Sequence, residues 1–317
     1  MFTSIWEDIK REFSYGNMVT RIIIVNIMVF IVINLIWVGF QMVYGGKPSA
    51  YPEVLAFFSM PSDWLGLLTH PWALITSMFL HEGFMHILFN MLMLYWFGRI
   101  IGDLLGDHRV LPLYLMAGLA GNLVYFFTAN TIPILGLSGS IGFGASGAVM
   151  GIVIASAVLA PDAEMRLILL GNIKLKYIAA ALLLIDVFAI GSMNNAGGHF
   201  AHLGGAAFGW FFIRRLQFGD DLSAPVNNLM TKIADFFRGV VEDRGLNKKK
   251  GPRMAYRNPQ KPKKRMQKRR KKRTSNRTGR SLSHQEKVDT ILDKIKESGY
   301  EKLTQEEKEF LFNASKK

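Results

Sequence analysis

Apolar residues in this 317-residue chain are gathered into six stretches, at 19–43, 84–101, 110–129, 146–160, 177–193 and 200–214. A bilayer core of about 30 Å asks for roughly 20 apolar helical residues, somewhat fewer where neighbouring helices shelter the span. The expected fold is therefore an all-α polytopic membrane protein with six transmembrane helices. The fourth and sixth stretches are short and rich in glycine and alanine, so they read as inner helices packed by neighbours rather than lipid-facing ones. The first stretch does not read as a signal peptide, because it follows Glu7, Asp8 and Glu12 and lacks a small-residue cleavage site.

Charge divides the chain differently. Residues 1–217 carry 11 basic and 11 acidic side chains, whereas 218–317 carry 27 and 13, so the whole formal net charge of +14 lies at the C-terminal end. One uniform soluble globule is excluded. Within 248–280 there are 17 Lys or Arg and no acid, a composition that cannot bury a core. Four domains are expected: an interfacial amphipathic segment at 1–18 (Phe2, Ile5, Trp6, Ile9 and Phe13 at helical spacing), a membrane domain at 19–217, a basic disordered linker at 218–283, and a short helical module at 284–317. In that module Val288, Ile291, Leu292 and Ile295 precede a break at Gly299, and Thr304 with Glu307 forms a capping box before Phe310 and Leu311. The linker reads either as a solvated tether or as a contact to anionic lipid, worth about 1 kcal/mol per basic residue near the surface. Nucleic acid is not an expected partner, for the linker has neither interleaved aromatics nor a recognisable binding fold. The absence of cysteine excludes disulfides, thiol catalysis and cysteine-ligated metal.

Basic residues also set the expected orientation. Arg99, Arg109, Arg166, Lys174, Lys176 and the tail fall on one side, and only Lys47 on the other. By the positive-inside rule this gives a multi-pass protein of the cell inner membrane with both termini cytoplasmic. The second, fourth and sixth helices then begin at the outer face. The connection at 44–83, carrying Trp64, Leu65, Leu67, Leu68, Trp72 and Phe79, is too long for a turn and is expected to dip into the interface or pack on the bundle.

Polar groups within a membrane are costly, so they mark candidate chemistry. The fourth helix opens at Gly142-Phe143-Gly144-Ala145-Ser146-Gly147, where the serine is either a nucleophile at a helix N-terminus or a packing residue beside the small-residue stripe Gly147, Gly151 and Ala155. The sixth opens at Ala201-His202-Leu203-Gly204-Gly205, with His202, Gly205 and Gly209 on one face. Facing glycine stripes would let Ser146 and His202 pair as nucleophile and base, although a lone intramembrane histidine also serves as an interhelical hydrogen-bond partner. His86 and Asn90, four residues apart, suit an oxyanion together with the Ser146 amide, or simply bond to neighbouring helices. His81 reads as a tie for the first connection. No carboxylate stands in an evident position to orient His202, so the pair is expected to be a dyad, with Asp186 a structural partner rather than a third member. Neither a cofactor nor a metal is expected: the zinc pattern needs histidines at i and i+4, and His81 and His86 are five apart. His199 and His202, three apart, are the other ligand candidates.

His86-Ile87-Leu88-Phe89-Asn90, Gly144-Ala145-Ser146-Gly147 and Ala201-His202-Leu203-Gly204-Gly205 with Gly209, in that order over six membrane helices, resemble the rhomboid family of intramembrane serine proteases. The resemblance covers roughly 19–217. It implies a serine endopeptidase that cleaves transmembrane substrates near the outer face, with Ser146 as nucleophile, His202 as base, His86 and Asn90 stabilising the oxyanion, and Gly144, Gly147, Gly151, Gly205 and Gly209 packing helices around the site. The alternative is a proteolytically inactive relative that binds membrane clients. Two departures stand out: Trp72 is followed by Ala73 where many members have arginine, and Gly102, next to Asp103, takes the place of a common glutamate.

Overall fold

The computed structural model of the chain describes residues 2–45, 50–167, 171–192, 195–243, 290, 291, 293, 294 and 303–314. The chain divides into two compact units, Met1–Lys249 and Lys250–Lys317.

Each of the six apolar stretches falls on a helix. After α1 (Phe2–Tyr15) comes α2 (Met18–Tyr44); the first connection holds α3 (Ala50–Phe58), α4 (Trp64–Thr69) and α5 (Ala73–Thr76); then follow α6 (Phe84–Leu105), α7 (Val110–Thr131), α8 (Ser146–Leu159), α9 (Leu175–Ile190), α10 (Ala196–Gln217) and α11 (Ser223–Asp243). By length and composition, Met18–Tyr44, Phe84–Leu105 and Asp107–Thr131 are long and apolar enough to cross a membrane, and Ser146–Leu159 is a shorter apolar helix. The ends of α2 follow from its flanking residues. The Asn17 side chain accepts from the Thr20 N–H at 2.9 Å, and Gly45 closes the helix in the left-handed region at φ 68°.

The centre of the bundle is α8, whose 14 residues rise only about 21 Å. All its residues from Gly147 to Ala157 are buried. It is held between α6, α7 and α10 because glycine removes the side chains that would separate the backbones. A Cβ at Gly205 would collide with the carbonyl oxygen of Gly147, and one at Gly209 with that of Gly151. Polar residues cross-link the remaining helices. Asn26 of α2 donates to Tyr114 Oη of α7 at 3.3 Å, and Tyr114 donates in turn to the Met78 carbonyl at 2.9 Å.

The first connection packs on the bundle through its backbone. Asn122 of α7 donates to Leu74 O at 2.9 Å and to Ser77 Oγ at 2.8 Å; Asn130 donates to Ser62 O at 2.8 Å; and the Gly144 N–H donates to Ser77 O at 2.8 Å. Trp72 is tied within the connection, its indole N–H donating to Phe57 O at 2.8 Å. Trp64, Leu65 and Leu68 remain exposed.

Two expectations are corrected here. The chain is not purely helical: β1 (Met60–Pro61) pairs antiparallel with β2 (Ile141–Gly142), and β3 (Glu164–Leu167) with β4 (Gly171–Lys174). Extended segments at the loop crossings satisfy each other's backbone groups, and Pro61, lacking an N–H, keeps the first ladder short. The expected linker at 218–283 begins instead with a helix, since α11 covers Ser223–Asp243. Leu222, Val226, Leu229, Met230 and Ile233 recur at helical spacing, and the start is anchored where Asp221 accepts from Ser223 N at 2.9 Å and Arg109 Nη2 at 2.7 Å. Asn227 also donates to His108 O at 3.1 Å, while Leu229, Ile233 and Phe236 stay exposed. The rest of the linker and most of the expected first tail helix lie outside the described residues. In the second unit, α12 (Gln305–Ala314) starts with a reciprocal cap, Thr304 N donating to Glu307 Oε2 at 2.8 Å and Glu307 N to Thr304 Oγ1 at 3.4 Å.

Candidate active site

A cavity of about 940 Å³ opens between the first turns of α6, α8 and α10 and the segment before α8. Ser146, His202, His86 and Asn90 all line it. Four residues from three helices, separated by up to 116 positions in sequence, therefore line one cavity.

Ser146 is half-buried at the first turn of α8, where the leading N–H groups have no intrahelical acceptor. Gly144, two residues earlier, has φ +130°, a backbone state that disfavours any side chain. A Cβ there would also lie 3.0 Å from His86 Cε1, 3.1 Å from His86 Nε2 and 3.6 Å from Ser146 Oγ. The edge of the His86 ring and the serine hydroxyl thus flank the same bare patch of backbone. Among the described residues Ser146 Oγ has no hydrogen-bond partner, so the hydroxyl and His202 line the same cavity without a hydrogen bond between them. Catalytic contacts often tighten only once substrate is bound.

Asn90 is buried and its Nδ2 donates to the His86 carbonyl at 2.8 Å, so one of its two N–H groups is committed to its own helix. His81, at the end of the first connection, meets α6 through packing rather than through a hydrogen bond. It is 1% exposed, packs edge-on against His86 with ring centroids 5.0 Å apart, and neither of its ring nitrogens has a hydrogen-bond partner. Burial, followed by the neighbouring His86 charge, pushes its pKa down to about 4.

The orientation of His202 departs from expectation. A carboxylate does hold it: His202 Nδ1 lies 2.8 Å from Asp186 Oδ1, and His199 Nδ1 lies 2.7 Å from the same oxygen. Asp186 is 4% exposed on α9, and its Oδ2 has no partner. With the ring protons on both Nδ1 atoms, the carboxylate accepts two hydrogen bonds and the second nitrogen of His202 keeps its lone pair. Spacings of 13 and 16 residues across two helices carry no sequence pattern, so this arrangement was not legible before the fold. The same three residues place one ligand atom each within 4.8 Å of one another, whereas His81 and His86 belong to no such group among the described residues.

Comparison with known proteins adds the relatives of the chain. Residues 68–216 match the Rhomboid domain, and 280–317 match a family of unknown function, DUF6576. The chain is 32% identical over 142 residues to presenilin-associated rhomboid-like protein A, mitochondrial, of Danio rerio, covering 44% of this chain and 36% of that protein. It is 34% identical over 158 residues to RHOMBOID-like protein 12, mitochondrial, of Arabidopsis thaliana (46% and 47% covered), and 28% over 183 residues to the rhomboid protease GluP of Bacillus subtilis (57% and 33%). The chain thus spans between 33% and 47% of the length of these relatives. The first two names correct the expected placement in a cell inner membrane with cytoplasmic termini, because those relatives are mitochondrial proteins and point to a mitochondrial membrane instead. The motifs, the helical bundle around α8 and the matched residues lead to one conclusion: residues 68–216 of this chain form a domain of the rhomboid family.

Proposed function

We propose that the chain is an intramembrane serine endopeptidase acting on transmembrane substrates, and that 19–217 forms a six-helix membrane domain followed by the basic region and a separate helical module at 284–317. The observation that carries this reading is the meeting of Ser146, His202, His86 and Asn90 in one cavity. In the proposed reaction neutral His202, steadied through Nδ1 by Asp186, takes the Ser146 proton as Oγ attacks the scissile carbonyl. The oxyanion is received by the Ser146 N–H, His86 and Asn90, the last after its amide turns from the His86 carbonyl. His202 then passes the proton to the leaving amine, and water admitted by the cavity resolves the acyl-enzyme. Asp186 acts as a positioning residue, fixing the tautomer of the base.

The direct test is cleavage of a reporter transmembrane substrate by purified wild-type chain and by Ser146→Ala. The client-binding alternative draws support from the unpaired Ser146 hydroxyl. It calls for client co-purification that is equal in both proteins and for no cleavage by either.

A further inference from the structure

We propose that Asp186, His199 and His202 form a binding site for a divalent transition metal of the zinc class, and that filling it switches the protease site off; the second half rests on the function proposed above. His199 takes no part in the proposed reaction, yet its Nδ1 is 2.7 Å from the oxygen that also meets His202 Nδ1 at 2.8 Å. The carboxylate is almost wholly buried and its second oxygen has no partner. A buried anion with an idle oxygen beside two imidazoles is poorly satisfied by hydrogen bonds alone. Two imidazoles and one carboxylate are a favourable set for Zn²⁺ and leave a fourth position for water. Zinc bonds of about 2.0–2.1 Å in a tetrahedron separate ligand atoms by about 3.4 Å. The three donor atoms already lie within 4.8 Å, so side-chain adjustments of an ångström or less would suffice. Both histidine side chains are partly exposed, at 17% and 19%, and His202 lines the cavity, which gives an ion its way in.

Binding has a defined consequence for the base. Coordination through Nδ1 moves the single proton of each neutral imidazole to Nε2, with no net proton released. His202 then presents an N–H where the mechanism needs a lone pair, and the Ser146 proton has no acceptor. Mg²⁺ and Ca²⁺, which favour oxygen ligands, should leave the enzyme active.

The test uses the full chain, freed of metal with a chelator and held in detergent. Equilibrium dialysis of Ser146→Ala against ZnCl₂, which needs no proteolysis, should give one tightly held Zn²⁺ per chain. His199→Asn and His199→Gln, each added to Ser146→Ala and each keeping a donor for Asp186, should weaken that binding at least about tenfold. In the wild-type background ZnCl₂ should abolish reporter cleavage, EDTA should restore it, and either His199 variant should need at least about tenfold more zinc for the same fractional loss. Absence of stoichiometric binding to Ser146→Ala, or binding unchanged by both His199 substitutions, overturns the site. Binding without loss of cleavage overturns the switch. A wild-type chain that never cleaves, alongside a Ser146→Ala chain that binds zinc through His199, defeats the protease reading and leaves the site standing.

Discussion

Two histidines line the cavity, His86 and His202, each paired with a second histidine, and the two pairs are held in opposite ways. His199 and His202 on α10 both meet the carboxylate of Asp186, whereas His81 and His86, before and within α6, lean on one another and His81 has no hydrogen bond from either nitrogen. The α10 pair is fixed in tautomer and direction, as a base must be to take a proton on time. His81, buried just before α6, sits in surroundings that disfavour charge, and it packs on the ring proposed to donate a hydrogen bond. One cavity thus has an anchored basic wall and a neutral donating wall.

Substitutions on each wall should separate these roles. The largest effect is expected for His202→Ala, a fall in kcat/KM on the order of 10⁴-fold with the thermal transition retained, since proton transfer is lost outright. His86→Ala should cost on the order of 10³-fold, mainly in kcat, because an oxyanion donor acts only in the transition state. Asp186→Asn should be milder, on the order of 10²-fold in kcat with KM little changed, since His202 keeps its place but loses the charge that steadies its protonated form. An equal loss from Asp186→Asn and His202→Ala would mean that Asp186 does more than position the base.

The smallest effect concerns His81 and appears in stability rather than rate. Its folded pKa of about 4 lies below the ordinary 6.5. As pH falls through that window the unfolded chain takes up a proton that the folded chain refuses, removing about 3 kcal/mol of stability at most. Above the window nothing is lost. His81→Leu should therefore melt at or above the wild-type temperature near neutral pH and lose less stability on acidification, with thermal unfolding in detergent as the measurement. A steeper acid loss in His81→Leu would contradict the neutral assignment of the α6 wall.

How far the sequence reaches can be read from particular residues. Ser146, His202, His86 and Asn90 were visible because each sits at the start of an apolar stretch, and helical spacing alone puts His86 with Asn90 and His202 with Gly205 on common faces. The close approach of α8 and α10 was likewise legible in Gly147, Gly151, Gly205 and Gly209, where only a missing Cβ lets carbonyls meet the facing backbone. The partners of Asp186 are not legible because they lie on another helix, and nothing local in Leu184-Ile185-Asp186 tells which way the carboxylate points. Helix α11 was hidden by the excess of basic residues just beyond it, which made its apolar spacing look like part of a linker. The strands escaped notice because segments of two to four residues are selected by tertiary pairing rather than by local propensity.

Ser146 is the proposed nucleophile, and the measurement that reaches it most directly is the rate at which purified chain, reconstituted in lipid, cuts a reporter transmembrane peptide before and after Ser146→Ala. Cleavage by the wild type and none above background from the variant, at equal melting temperature, is the predicted result. Cleavage by Ser146→Ala at the wild-type rate would contradict it.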